Sequence, residues 1–221
     1  RENQLLKFLD KYRKNNGDHD CVVPSSGGKD SSFTAHILKN KYGMNPLTVT
    51  WSPHSYTDIG WKNFVAWIES GHDNILITPD RSVHKKLTSL AFKNLLHPFQ
   101  PFALGQNSLP LKLAVEKNIK LIVYGDSIKE RAVGKDNEAK SFNKPEFWHY
   151  RNNNDEIYLG GVNIDEIQKK YKIDRHELNC FLPVSKDVID NSDINLLHLP
   201  DFINYNPQNN FYYAKEKTGF Q

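Results

Sequence analysis

The chain reads as an α/β protein, a parallel sheet with helices on both faces, followed by an irregular α-rich C-terminal extension. Three observations predict this. Short apolar runs rich in β-formers alternate with runs at helical spacing through the first 126 residues. The first of them, Cys21-Val22-Val23-Pro24, gives way to a loop of small residues and then to a helical pattern. After Gly125 the alternation stops, and asparagines, prolines and clustered aromatics take over.

Leu5, Leu6, Phe8, Leu9 and Tyr12 recur at helical spacing until Asn15-Asn16-Gly17 breaks the pattern, which predicts a lead-in helix. Cys21 to Pro24 is the first strand, and Phe33, Ala35, Ile37 and Leu38 mark a helix running up to Gly43. Residues 47–51 form the second strand. Trp61, Phe64, Val65 and Ile68 then predict a helix that Gly71 stops. Ile75-Leu76-Ile77 is a third strand, Val83, Leu87, Leu90 and Leu95 line one helix, and residues 109–115 form another. Leu121-Ile122-Val123-Tyr124 is a fourth, buried strand; continuous apolar runs of this kind belong in a sheet covered on both faces. Farther on, only short helical stretches are expected, near 164–171 and 175–180. Phe211-Tyr212-Tyr213 is read as packing, with a ligand-facing wall as the alternative, and Asn152-Asn153-Asn154 as a surface loop. Residues 1–126 are therefore expected to form the core with its lead-in helix, and 127–221 a substrate-binding extension packed on it.

Lys and Arg number 29 against 26 Asp and Glu, and the +3 balance is scattered, so no nucleic-acid stripe stands out. No apolar run approaches about 18 residues, which argues against a helical membrane span. With no signal-like segment at Arg1, the expected location is cytoplasmic. Cys21 and Cys180 are too few for a disulfide scaffold or a four-ligand zinc site, and they suit a reducing compartment. None of the nine histidines shows metal-ligand spacing, so no structural metal is expected.

The strongest chemical signal is Ser25-Ser26-Gly27-Gly28-Lys29-Asp30-Ser31-Ser32, placed where a strand ends and a helix begins. Glycines let a backbone approach an anion, and the amides and dipole of a helix start favour negative charge. Ser26, Ser31 and Ser32 add hydroxyl donors. A Walker A loop needs glycine where this chain has Val23 and Ser or Thr where it has Asp30, so this is a different phosphate loop.

The hexapeptide SGGKDS, Ser26 to Ser31, resembles the PP-loop of the N-type ATP pyrophosphatases, of adenine nucleotide alpha-hydrolase-like fold, which cleave ATP between the α and β phosphates. That resemblance implies ATP and Mg²⁺. Ser26, Gly27, Gly28, Asp30 and Ser31 carry over as positions holding the leaving pyrophosphate, flanked by Ser25 and Ser32. Lys29 offsets charge at the phosphates, and Asp30 faces Mg²⁺ directly or through water; its bland alternative is a first-turn acid favoured by the helix dipole. Thr50-Trp51-Ser52 resembles the strand end whose backbone pairs with adenine. Gly125 and Asp126 lie on the same carboxyl edge.

Further tracts narrow the resemblance: LKNKYGMNPLTVTW, Thr57-x-x-Gly60-x-x-Asn63, Thr78-Pro79, Tyr124-Gly125-Asp126, Asn206-Pro207-Gln208, Tyr212-Tyr213-Ala214 and Thr218-Gly219-Phe220-Gln221. Together they look like the N-acetyl sugar amidotransferases of bacterial surface-polysaccharide (LPS O-antigen) and nonulosonic-acid (pseudaminic acid) biosynthesis. Members of that family usually begin with a cysteine-rich segment and continue past the Gly-Phe-Gln, so this chain resembles a middle portion. They commonly carry Glu where Asp126 stands. The implied reaction adenylates the oxygen of an N-acetyl group, releasing pyrophosphate; ammonia then displaces AMP and leaves an acetamidino sugar. Asp126 would orient the amide or accept a proton, with a helix cap as its alternative. Asn63, Arg131 and Lys135 are candidate substrate contacts, although solvated surface is the ordinary fate of a lone Arg or Lys, and His149 with Tyr150 is a weaker candidate. Neither cysteine has a glutaminase setting, so a partner must supply ammonia; the resemblance implies a separate glutaminase acting with a cyclase-like subunit. Two other readings stand beside this one: a PP-loop RNA-modifying ligase of the tRNA lysidine or thiolation type, and a non-catalytic ATP-binding module. The lack of a cysteine pair weakens thiolation.

Overall fold

The computed structural model describes residues 1–126, 142–143, 145, 150–151 and 156–221. The main sheet contains β1 (Cys21–Pro24), β2 (Pro46–Trp51), β3 (Asp73–Ile77), β4 (Leu121–Tyr124), the short β5 (Phe142–Asn143) and β6 (Asn195–His198). Its order is β3-β2-β1-β4-β6-β5; all pairs are parallel except the last. Nine helices lie among the described residues: α1 (Glu2–Leu9), α2 (Lys29–Asn40), α3 (Asp58–Glu69), α4 (Arg81–Leu95), α5 (Gln100–Glu116), α6 (Ile164–Tyr171), α7 (Arg175–Leu178), α8 (Lys186–Asp190) and α9 (Pro207–Thr218).

Period-2 alternation divides the strands between two cores. Val22, Trp51, Ile122 and Leu196 face α4, α5 and the helices α6 to α8. Cys21, Val23, Leu121, Val123 and Leu197 face α1, α2 and α3, and α9 packs outside α2. Helices therefore cover both faces of a parallel sheet, and the C-terminal region is mainly helical, as the sequence predicts. The strand order places the reversal of winding between β1 and β4, the position at which open α/β sheets carry a ligand crevice.

Four elements differ from the sequence reading. The fifth parallel strand, β6, comes from the segment read as an extension, in register with β4 from Asn195–Leu121 to His198–Tyr124. It is four residues long, contains no β-branched residue, and sends its two leucines to opposite cores, so neither periodicity nor composition marks it. Helix α5 begins nine residues before the predicted stretch, with Pro101 in its first turn and Pro110 inside it. Helix α9 owes its bounds to caps rather than to an apolar stripe: Asn206 Oδ1 accepts from the Gln208 and Asn209 amides, and Gly219 closes it at φ 71°. Its Tyr213 packs edge-on to Phe33 and bonds His36 Nδ1 at 2.8 Å, which supports the packing reading of that aromatic cluster. On α3 the buried residues are Phe64 and Trp67, while the predicted Trp61 and Ile68 are exposed.

No described helix is long and apolar enough to cross a membrane. Cys21 is fully buried and Cys180 partly so; burial pushes both thiols up, which fits inert packing roles.

Candidate functional site

The loop after β1 is built from the inside outward. Ser25 is buried, and its hydroxyl accepts from the Gly27 amide at 3.4 Å and donates to Ser31 Oγ at 3.3 Å. Ser31 Oγ in turn donates to the Gly28 carbonyl at 3.0 Å, so the hydroxyls fasten the turn to the first turn of α2. Gly28 is the N-cap of α2, and no side chain caps the helix there. Its first-turn N–H groups are thus available to an anion, with the dipole behind them.

The two glycines have different reasons to be glycine. Gly27 has φ +78°, and a Cβ on it would stand 3.2 Å from the Asn63 carbonyl oxygen and from Phe64 Cα, so it seats the loop against α3. Gly28 has ordinary φ, and a Cβ would meet only Ser26 Oγ at 3.3 Å; the space beside it belongs to the cleft. Gly125 is a third close approach: a Cβ would lie 2.8 Å from Thr34 Oγ1 and 2.9 Å from the Asp30 carbonyl oxygen, so the end of β4 abuts the start of α2.

One cleft at the carboxyl edge brings together Ser25, Ser26, Gly28, Lys29, Asp30, Ser31, Trp51, Gly125 and Asp126. Its far wall is α5, through Gln106, Leu109 and Pro110. Proline has no N–H to return to the carbonyl one turn earlier, so the helix presents Gln106 to the cleft at an interrupted ladder. Lys29 Nζ lies 2.5 Å from Asp30 Oδ2, and Tyr205 Oη donates to Asp30 Oδ1 at 2.7 Å. His198 stands behind the β4 side, against two residues that line the cleft. It stacks on Tyr124 with centroids 5.2 Å apart, donates Nδ1–H to the Asp126 carbonyl at 2.8 Å, and stands 3.8 Å from Asp126 Oδ1.

The predicted strand-end triplet is divided by the pleat. Ser25 N donates to the Val49 carbonyl at 2.8 Å and Ser52 N to the Ile77 carbonyl at 2.9 Å. Alternation then turns the N–H and C=O of Trp51 toward the β1 side, where the chain has already left the sheet. Thr50 and Ser52 are buried away from the cleft: Asn74 donates to Thr50 Oγ1 at 3.0 Å and Arg81 to Ser52 Oγ at 2.9 Å. The Trp51 indole is itself buried, edge-on to Phe181 at 5.4 Å and lying over Gly105, where a Cβ would collide with it at 2.2 Å. Beside it His84 is fully buried, and burial lowers its pKa to about 4, so the ring is neutral.

Gly27 and Ser32 support the loop without lining the cleft. Asn63 instead clamps the chain at Gln221: its Nδ2 donates to the Gln221 carbonyl at 3.3 Å, and its Oδ1 accepts the Gln221 amide at 2.8 Å. Arg131, Lys135 and His149 lie outside the described residues. Sequence reading missed His198, Tyr205 and Gln106, none of which stands in a motif; the register of β6 and the chain after it bring His198 to Asp126 and Tyr205 to Asp30, and the packing of α5 brings Gln106 to the cleft.

Fold and site together define an α/β protein with an uncapped, glycine-bearing loop at its topological switch point. No family model matches the chain. It is 37% identical over 46 residues, 21% of this chain and 17% of the other, to an uncharacterised protein of Methanocaldococcus jannaschii. Among solved structures it is similar to a predicted subunit of a tRNA methyltransferase from the same organism, at 20% identity and TM-score 0.41, over 89% of this chain and 75% of that one. It is also similar to NMN synthetase from Francisella tularensis, at 15% identity and TM-score 0.45, over 86% and 82% of the two chains.

Proposed function

We propose that the chain binds ATP in this cleft and cleaves it between the α and β phosphates to adenylate an acceptor. The observation that carries the reading is the uncapped start of α2, approached over Gly28, at the crevice between β1 and β4. The β and γ phosphates rest on the first-turn amides and the Ser26 hydroxyl, and adenine pairs with the backbone of Trp51 at the end of β2. Lys29, Asp30 and Asp126 are the charged residues lining the cleft among those described. A triphosphate there meets one cation and two carboxylates, so a divalent ion such as Mg²⁺ is needed to offset the charge, and Asp30 is the side chain placed to hold it.

The acceptor in this proposal is the N-acetyl group of a sugar, and its support is the set of sequence tracts that resemble the sugar amidotransferases. The amide oxygen forms a bond to the α-phosphorus while the bond to the bridging oxygen breaks and pyrophosphate departs onto the loop. Ammonia then adds at the imidate carbon and AMP leaves, with Asp126 taking a proton from the incoming nitrogen. Neither cysteine stands in a glutaminase setting, and the resemblance to the sugar amidotransferases points to a separate glutaminase with a cyclase-like subunit as the source of ammonia.

The test is the nucleotide product formed with candidate N-acetyl sugars and ammonium at high pH. AMP and pyrophosphate with an acetamidino product are expected; ADP as the main product, or no turnover with any sugar, overturns the corresponding part. Gly28→Val places its side chain in the anion's position. It should cut ATP turnover by about 100-fold or more, the scale of losing one set of oriented amides, with little change in unfolding temperature.

A further inference from the structure

Asp30 stands on the first turn of α2 with one carboxylate oxygen on Lys29 and the other on Tyr205. The two partners differ in kind. Lys29 is a neighbour on the same turn with a long flexible stem, and it is the cation nearest the expected phosphates; when it moves toward them, its hold on Asp30 weakens. Tyr205 arrives from the far end of the chain, on a short arm fixed at both ends. Before it, Phe202 is buried against the α1–α3 core and its amide bonds the Leu199 carbonyl. After it, Asn206 caps α9, which packs on α2. The phenol therefore reaches Asp30 from a support anchored to the same helix.

We propose that Tyr205 is a positioning residue for the nucleotide site: its hydroxyl fixes the carboxylate of Asp30 in the orientation that receives the divalent cation of the bound triphosphate. The inference rests on the nucleotide reading above. A neutral donor suits the task, because it orients the carboxylate while leaving its negative charge for the cation, and its ordering cost is met in folding rather than on binding. A lysine or arginine in that place would compete with the metal.

The test is calorimetric binding of ATP to the full chain across a magnesium titration, beside binding of pyrophosphate without magnesium. Tyr205→Phe removes one oxygen and keeps the ring, so thermal unfolding should move by no more than a few degrees. The magnesium concentration for half-maximal ATP binding should rise about 10-fold, the lower end for loss of an outer-shell partner. Pyrophosphate affinity should stay unchanged, since the loop amides are intact. In an Asp30→Asn background, Tyr205→Phe should add nothing further. An unmoved magnesium dependence, an equal loss of pyrophosphate binding, or a full effect persisting in Asp30→Asn overturns the inference and reduces Tyr205 to a structural tie. A wild-type chain that binds no ATP at all overturns the nucleotide reading itself, an outcome distinct from these.

Discussion

The loop after β1 lines the cleft and the stretch from β6 to α9 supports its two acids from behind, and the two are encoded in opposite ways. The loop is local: eight consecutive residues carry its small side chains, its helix start and the anion chemistry proposed for it. The C-terminal stretch contributes through distance. His198 touches Asp126 across 72 residues and Tyr205 touches Asp30 across 175. A motif can be read where the chemistry and the chain run together; where they separate, single residues look like any other His or Tyr.

The largest expected effect tests whether the second region is part of the core. Leu197 is fully buried between β6 and the α1–α3 layer. Leu197→Ala should cost about 2–5 kcal/mol, measured by denaturant unfolding as one cooperative transition. If the signal from the N-terminal core stayed unmoved while a separate transition appeared, the C-terminal stretch would be an appendage and the comparison would break.

Acidification comes next and probes two buried histidines, His84 near the site and His72 ahead of β3. His84 lies against Trp51 and His72 stacks on Trp67 at 4.8 Å; burial lowers each pKa to about 4. Between that value and the ordinary 6.5 the unfolded chain binds more protons, so stability falls as pH drops through this window. The slope is at most about 1.4 kcal/mol per pH unit for each buried imidazole. His84→Leu should flatten the profile; an unchanged slope would show that His84 does not titrate with folding.

The smallest effect sharpens the contrast inside the loop. Gly27→Ala should cost about 1–2 kcal/mol for its left-handed φ, and more if α3 cannot yield to the new Cβ. Gly28→Ala should leave stability near wild type and weaken nucleotide binding. Equal stability losses at the two positions would remove the distinction between a glycine that seats the loop and one that admits an anion.

How much was legible follows from these cases. The four N-terminal strands show as short continuous apolar runs and their helices by apolar residues at helical spacing, and the loop shows because strand, small residues and helix follow in order. Trp61 and Ile68 match the helical period on α3, yet the buried pair is Phe64 and Trp67, since periodicity does not tell which edge of a broad apolar stripe meets the sheet. In sequence Thr50-Trp51-Ser52 forms one unit, but the pleat turns only the middle residue toward the crevice.

By itself the sequence determined the class of fold and the position of the glycine-bearing loop between the first strand and its helix, because each depends on near-neighbour pattern. Tertiary structure alone decided that β6 enters the sheet beside β4, that Gly125 must be bare to admit the start of α2, and that His198 and Tyr205 stand behind the two acids of the cleft. These depend on register and on the path of the chain back across the sheet. A one-dimensional pattern carries no record of which distant residues a fold will place within 3 Å of each other.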